Sequence, residues 1–443
     1  MTSADLGSLL QLFEQVLSPE QWRALEGRDT QAQIYTLPVV TELMLLQRLN
    51  QRGTQQAAVQ QLSMGQLDHL LPNSKRVREA NISHDTGGYA RACGRVSVEL
   101  METVCDEILG ALGKHIEPEP ELQTPVLLID GTGLSLQHEP DLLQSFPAMR
   151  NQYGTGHWGM LRVVALHDVQ TGITLRPCWG PMSGAQTVSE QRLAEQAIKR
   201  APAGSVILGD SNFGIFSLVH TIAENQQQAL FRLTKARADS LGAARLLPHG
   251  ETRLDWKPTR ADRRANPELP PDAQVQGRLI VVSRNGFRDA LYLFTTLNDP
   301  LEKIVALYLK RWNLELDLRT LKCTMQLHHL RGKSRAAVEK ELLMGVIAYG
   351  LVRVFMAKAA QHAGIHPRRL SFTCCCGLLN AWMPKLCSAG PEHRLQILER
   401  ILQYMAKSKL PNRPHQRSYP REVWGFRQAF RRRSHPLPKP KSK

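Results

Sequence analysis

The chain has 443 residues and a mass of 49.8 kDa, roughly three times the size of a common single domain, which predicts two or three domains. With 42% hydrophobic and 22% charged residues, the composition excludes a wholly disordered, collagenous or coiled-coil chain. The formal net charge of +16 at pH 7 indicates a polyanionic partner, although net charge alone says nothing about fold.

No export signal or membrane segment is predicted. Acidic Asp5 and Glu14 occupy the N-terminal stretch, which lacks the charge pattern of a secretory signal. The longest apolar run, Leu342 to Val352, is shorter than the roughly 18 residues of a membrane span. We therefore expect a bacterial cytoplasmic protein without a membrane partner.

The eight cysteines are too few and too irregular for a disulfide framework. Cys374, Cys375, Cys376 and Cys387, with His362 nearby, have the side-chain types of zinc ligands. Consecutive residues cannot easily all turn toward one tetrahedral ion, so we expect reduced, buried thiols instead.

A helical domain is predicted for the first 115 residues. Apolar residues recur at helical spacing from Leu37 to Leu49 and again from Val98 to Leu112. The basic residues Lys75, Arg76 and Arg78 lie between them. A DNA contact and a purely structural role are equally compatible with this cluster, because no clear helix-turn-helix pattern is present.

The pattern changes at a Pro-rich junction, Glu117 to Pro120, and predicts an α/β fold beyond it. We expect the first part of a core in 116–235, a β-rich insertion in 236–295, helices in 296–406 and a basic tail in 407–443. The predicted strands are Pro125–Ile129, Leu161–Leu166, Val206–Leu208 and Ala229–Leu233 in the core, with Leu279–Ser283 and Ala290–Thr296 in the insertion.

The tail is the most strongly charged segment. Residues 407–443 contain twelve Lys and Arg residues against one acid, Glu422, with aromatic residues among them. Such a segment suits neutralisation of DNA phosphates, and Arg431, Arg432 and Arg433 are its densest cluster. The alternative is a merely solubilising terminus.

Two aspartates follow predicted buried strands. Asp130 comes directly after one, and Asp210 follows another after a single glycine. Open α/β sheets place ligands at the carboxyl ends of their strands. Either aspartate alone could equally be a turn or cap residue.

A predicted helix supplies a third acidic residue. At 100° per residue, Tyr308, Arg311, Glu315 and Lys322 fall within about 60° of one another. The alternative is an ordinary ion pair between Arg311 and Glu315 on a solvated helix. Two strand-end aspartates and one glutamate supply the hard oxygen ligands that Mg²⁺ or Mn²⁺ prefers. Two such ions can promote phosphodiester displacement.

These residues give the chain a resemblance to the bacterial insertion-sequence transposases of the DDE type that carry the signature Y-x2-R-x3-E-x6-K. The stretch YLKRWNLELDLRTLK from Tyr308 to Lys322 matches every defined position. The segments around Asp130 and Asp210 and the stretch from Ser418 to Arg421 also resemble the family. Ser211 departs from it, since many members have arginine there, and this leaves the local phosphate contacts open.

The resemblance implies a ribonuclease H-like catalytic core interrupted by the β-rich insertion. It also implies a metal-binding triad of Asp130, Asp210 and Glu315 that holds two Mg²⁺ or Mn²⁺ ions. Tyr308, Arg311 and Lys322 would contact the transposon end, and Trp256 of the insertion would stack on an extruded base. The implied partners are double-stranded DNA, as transposon ends and target, and a second copy of the chain.

Three functions are compatible with these features of the sequence. The first is cut-and-paste DNA transposition by cleavage and strand transfer. The second is a stand-alone metal-dependent DNA endonuclease built on the same core. The third is a non-catalytic DNA-binding protein that uses the basic tail while the acids only cap strands. The stretch from Gly154 to Gly159 spells GxGxxG but precedes a predicted strand, so dinucleotide binding is not favoured.

Overall fold

The computed structural model describes most of the chain up to Pro411. The described residues are 17–26, 34–50, 53–116, 124–152, 154–246, 249–283, 290–311, 320–321, 325, 327 and 330–411.

Helices precede the central sheet. They are α1 (Pro19–Glu26), α2 (Leu37–Leu49), α3 (Gln55–Ser63), α4 (Lys75–Arg78), α5 (Gly87–Arg95) and α6 (Val98–Gly113). Several of these helices begin at a residue whose side chain caps them. The hydroxyl of that residue accepts a hydrogen bond from a backbone N–H of the first turn, which has no partner within the helix. Thr54 accepts from the amide of Ala57 at α3, and Ser97 accepts from the amide of Leu100 at α6.

The sheet of the described residues has nine strands. They are β1 (Val126–Ser135), β2 (Ala148–Asn151), β3 (Gly154–Asp168), β4 (Cys178–Pro181), β5 (Val206–Gly209), β6 (Gln228–Arg232), β7 (Glu251–Trp256), β8 (Val275–Val282) and β9 (Leu291–Thr295). Their order is β2-β3-β1-β5-β6-β9-β8-β7, and β4 also pairs with β3. The pairs β1–β5 and β5–β6 are parallel, and the other pairs are antiparallel. The protein is therefore a mixed α/β protein.

Short helices connect the strands, and longer ones follow them. They are α7 (Pro140–Ser145), α8 (Glu190–Arg200), α9 (Phe216–Glu224), α10 (Lys235–Ser240), α11 (Arg260–Ala265), α12 (Leu301–Leu309), α13 (Arg335–His362), α14 (Phe372–Ser388) and α15 (Pro391–Lys407).

Strand β1 shows how the two faces of the sheet are covered. Leu127 and Ile129 belong to an apolar cluster with residues of α8 and α9. Val126 and Leu128 belong to a different cluster, with Ile304 and Tyr308 of α12. Successive side chains of a strand point to opposite faces, so α8 and α12 lie on opposite sides of β1.

Helix α13 is the centre of the helical core. It packs against α2 and α6 from the first part of the chain and against α14 and α15. Among the described residues it is the one helix long and apolar enough to cross a membrane, but its most apolar 18-residue window is entirely buried in the protein. Close packing against α6 is possible because position 350 is glycine, and a Cβ there would lie 3.1 Å from Leu112 Cδ1.

The segments predicted from the sequence pack together in the structure. Residues up to Lys409 form one unit, and the second unit is 410–443. The domain boundaries at 115, 235 and 295 stay a prediction. Helices from 1–115 share a core with α13, and the strands of 236–295 extend the central sheet through the pairing of β9 with β6.

Candidate active site

Two aspartates predicted from the sequence lie at the same level of the sheet. Strands β1 and β5 are parallel neighbours in which Leu128 is paired with Leu208. Asp130 and Asp210 each lie two residues further along, and alternation turns the side chain of Asp130 toward the α12 face. The sheet therefore brings together two carboxylates that are 80 positions apart in the sequence.

Asp130 is a half-buried carboxylate. Its Oδ1 accepts a hydrogen bond of 2.7 Å from the amide of Gly131. Burial raises the pKa of Asp130 to about 6, which the Gly131 amide opposes. The charges of Asp210 and Glu190 raise this pKa further, and Arg311 lowers it. Asp130 therefore lies among other acidic groups with one arginine near them.

Asp210 begins a tight turn, which is held by hydrogen bonds within the turn and by hydrogen bonds from Arg237. Its Oδ1 accepts from the amide of Asn212 at 2.8 Å, and its carbonyl accepts from the amides of Phe213 and Gly214, each at 3.2 Å. Arg237 of α10 donates to the carbonyls of Ser211 and Gly214, at 3.2 Å and 2.6 Å. The turn that presents the Asp210 carboxylate is held by these backbone contacts.

Tyr308 and Arg311 lie at the end of α12, on the Asp130 face of the sheet. Tyr308 is 5% exposed, and its ring centroid is 6.0 Å from the Arg311 guanidinium carbon. Burial raises the pKa of Tyr308, and the charge of Asp210 acts in the same direction while Arg311 opposes it. The pair therefore adjoins the two aspartates.

The helix prediction for this segment differs from the structure. Helix α12 ends at Leu309, and the amide of Arg311 donates to the carbonyl of Tyr308 in a tightened last turn. Arg311 thus lies beyond the helix and not on its stripe. Glu315 and Lys322 of the predicted signature, and Arg431, Arg432 and Arg433 of the tail, lie outside the described residues.

The structure contradicts the role predicted for Trp256. The resemblance implies that its ring stacks on an extruded base, but only 4% of Trp256 is exposed. Its ring packs edge-on against Phe294 at 4.7 Å and against Phe216 at 6.1 Å. The indole is part of the apolar cluster that contains residues of α9 and β9. Trp256 is therefore a packing residue.

The prediction from sequence missed Glu190 and Asn212. Glu190 is the first residue of α8, and its Oε2 accepts a hydrogen bond from Asn212 Nδ2. A weak signal for them was available: a glycine directly follows Asp130, and an acidic residue follows the capping residue Ser189. Neither feature identifies a site from the sequence alone, because the two residues come together only in the folded chain.

The acidic residues fit a divalent cation by their chemistry. Carboxylate oxygens are the ligands that Mg²⁺ and Mn²⁺ prefer, and a cation beside the half-buried Asp130 would offset the burial of its charge. In the part of the chain that the structure describes, no three His, Cys, Asp or Glu side chains are placed to hold one ion together. The third residue of the predicted triad, Glu315, is not in that part.

Comparisons with known proteins identify the family of the chain. A family model described as "Transposase DDE domain" matches residues 121–351, more than half of the chain. The transposase InsG of insertion sequence element IS4 from Escherichia coli (strain K12) is 27% identical over 305 residues, which are 67% of each protein. A solved piggyBac transposase synaptic complex with hairpin DNA is 13% identical, with a TM-score of 0.41, and the match covers 93% of this chain and 84% of that one. The chain therefore belongs to the transposase DDE domain family, and it is an enzyme of DNA transposition that cleaves and transesterifies phosphodiester bonds.

Proposed function

We propose that this transposase cuts the ends of its own insertion sequence and joins them to target DNA through a ribonuclease H-like core. The strand order supports this core, because β4, β3 and β1 are antiparallel neighbours and β5 and β6 continue from β1 in parallel. In this proposal the catalytic core comprises 116–235 and 296–406, and 236–295 is the insertion.

The proposed metal ligands are Asp130, Asp210 and Glu315, with two Mg²⁺ or Mn²⁺ ions between them. When bound, such cations activate a water or a 3′-hydroxyl and stabilise the departing oxygen in an in-line displacement. The chain itself holds the carboxylates in place: β1 fixes Asp130, and the turn held by Arg237 fixes Asp210.

Basic residues near the acids would hold the DNA phosphates. Arg311 lies at the Asp130 face of the sheet and is half-buried there. Tyr308 is buried and has little surface with which to contact DNA. We propose that its ring instead holds the Arg311 guanidinium in position. Lys322 and the tail arginines Arg431, Arg432 and Arg433 complete the proposed set of DNA contacts.

The proposed partners are double-stranded transposon ends, target DNA and a second copy of the chain. Two ends must be brought together for excision, and a homodimer in the DNA complex is the simplest way to pair them. We place this reaction in the bacterial cytoplasm.

The observation that carries the proposal is the meeting of Asp130 and Asp210 at one level of parallel strands, beside Arg311. The test uses DNA that contains the inverted repeats expected to border the gene. Asp210→Asn should lower Mg²⁺-dependent cleavage about a hundredfold or more, because a neutral amide binds the cation poorly and several kcal/mol of stabilisation is lost.

The matched control is Asp239→Asn, an exposed aspartate on α10. It should cleave like the wild type. Both variants should bind the ends with unchanged affinity in the absence of divalent cations. Wild-type cleavage by Asp210→Asn would favour the non-catalytic DNA-binding alternative and contradict the proposal.

A further inference from the structure

The first residue of α8, Glu190, is held at the end of the sheet by the packing of its helix. Leu193, Ala194 and Ile198 are buried in the apolar cluster with β1. Ser189 caps the helix by accepting from the Arg192 amide at 3.1 Å. The half-buried carboxylate of Glu190 therefore starts from the face of the sheet opposite α12.

Gly131 lets this carboxylate reach the strand that carries Asp130. A Cβ at position 131 would overlap Glu190 Oε1 and lie 2.7 Å from Glu190 Cδ. The Glu190 carboxylate thus occupies the space that any side chain at 131 would take. Gly131 directly follows Asp130 in β1, so this contact places the Glu190 carboxylate against the strand position next to Asp130.

A second contact links Glu190 to the turn after β5. Asn212 Nδ2 donates to Glu190 Oε2, and Asn212 Oδ1 accepts from Gln191 Nε2 at 3.1 Å. The backbone amide of the same asparagine donates to Asp210 Oδ1 at 2.8 Å. One residue therefore connects the start of α8 to the second aspartate.

An ordinary surface role would give Glu190 a basic partner. Glu195, one turn further along α8, has two: Arg192 at 2.6 Å and Lys199 at 2.5 Å. Within the described ranges, Glu190 forms no ion pair with a Lys, Arg or His side chain. Its carboxylate instead lies against Gly131, the residue after Asp130, and accepts a hydrogen bond from Asn212. A cation bound by Asp130 and Asp210 would stabilise a negative charge at that position.

We propose that Glu190 is a fourth acidic residue of the divalent-cation site, which reaches the site over Gly131 and holds the Asp210 turn through Asn212. The proposal rests on the proposed function, since it assumes that Asp130 and Asp210 bind the cation. Glu190 acts as a positioning residue and adds one negative charge. Outer residues of this kind typically change metal affinity about 10- to 100-fold when they are replaced.

The test measures Mn²⁺ binding to the full-length protein without DNA, by calorimetry and by the loss of the free Mn²⁺ electron paramagnetic resonance signal. Glu190→Gln should weaken Mn²⁺ binding about tenfold or more, while the thermal unfolding midpoint without metal stays near that of the wild type. Glu195→Gln, on the same helix, is the matched control and should bind Mn²⁺ like the wild type. Asp210→Asn is the reference for loss of a proposed ligand.

Two further variants keep the test decisive if Glu190→Gln does not fold. Asn212→Ala retains the Glu190 charge and breaks its link to the Asp210 turn, so Mn²⁺ affinity should fall by a smaller factor. Glu190→Asp retains the charge on a shorter side chain and should bind Mn²⁺ more tightly than Glu190→Gln. Both results are expected for positioning through Asn212 together with a charge effect.

The outcomes separate this inference from the proposed function. If Asp210→Asn loses Mn²⁺ affinity while Glu190→Gln and Asn212→Ala bind like the wild type, the role of Glu190 is overturned and the proposed function stands. If Asp210→Asn also binds Mn²⁺ like the wild type, the proposed function itself fails.

Discussion

Glu42 places a carboxyl group on α2, whose neighbouring side chains are mostly apolar and buried. Burial raises the pKa of Glu42 from 4.5 to about 7. In the folded protein the group keeps its proton up to about pH 7, whereas in the unfolded chain it ionises near its ordinary value. Stability should therefore fall as pH rises between these two values and level off above them.

Glu42→Gln removes this dependence. At about pH 8 the variant should have a free energy of unfolding higher than that of the wild type by at most about 3 kcal/mol, so it should unfold at a higher urea concentration. This difference in free energy should shrink toward about pH 5. Urea titrations at both values measure it. Glu302→Gln, an exposed residue of α12, is the control. A difference that grows toward low pH would contradict the assignment.

The sequence marks single residues of the candidate site only where a local pattern exists. Asp130 and Asp210 each follow a short apolar run, and that pattern needs no tertiary information. Glu190 carries no such mark, because its position depends on Gly131 of a strand about 60 residues away. Trp256 shows the same limit, since a lone tryptophan in a polar stretch does not reveal that Phe216 and Phe294 cover it.

At the scale of elements, Lys340 of α13 joins the central helix to α5. Its ammonium donates to the carbonyl of Cys93 at 2.6 Å and to that of Val96 at 2.8 Å. Lys340 is 5% exposed. A cation at the C-terminal end of a helix satisfies carbonyls that have no partner within the helix and interacts favourably with the helix dipole.

Lys340→Met should destabilise the protein by about 1–3 kcal/mol, because the carbonyls of Cys93 and Val96 lose their donor. Urea unfolding measures the change, and amide hydrogen exchange in α5 should rise with it. Lys303→Met, an exposed position of α12, should leave both quantities unchanged. Equal stability of Lys340→Met and the wild type would show that these hydrogen bonds contribute little.

The predicted elements were most accurate where a buried strand is continuously apolar. The run from Pro125 to Ile129 did predict β1, but the strand continues through Ser135 because β3 pairs with it along that length. The glycines at 131 and 133 concealed this continuation. Strand β7 was missed, since only one face of Glu251–Trp256 is covered and every second residue is charged, so the segment contains no continuous apolar run.

On the scale of the whole molecule, the segments that look independent in the sequence share cores. Residues of α2 and α6 and residues of α13 bury one another, and periodicity cannot reveal which helices meet. The distribution of charge is readable directly from the sequence. Residues 407–443 hold twelve of the 56 Lys and Arg residues but one of the 40 acidic residues, so much of the net charge of +16 belongs to the tail.

This distribution predicts how DNA affinity depends on salt. Each phosphate neutralised by a basic side chain contributes about 0.9 to the slope of log affinity against log salt concentration. A chain ending at Pro411 lacks ten Lys and Arg residues of the tail, so its slope should be shallower by several units. Replacing Arg431, Arg432 and Arg433 together by alanine should lower the slope by at most about 3 units.

Fluorescence anisotropy with double-stranded DNA, in EDTA so that no cleavage occurs, gives the slope for each protein. A full-length chain with the order of residues 412–443 scrambled is the matched control, and it should keep the wild-type slope because phosphate neutralisation depends on charge and not on sequence. Equal slopes for the truncated and full-length chains would assign DNA binding to residues before 412. The tail would then have only the solubilising role that its composition also allows, since basic residues that stay hydrated in the complex release no counterions from the DNA.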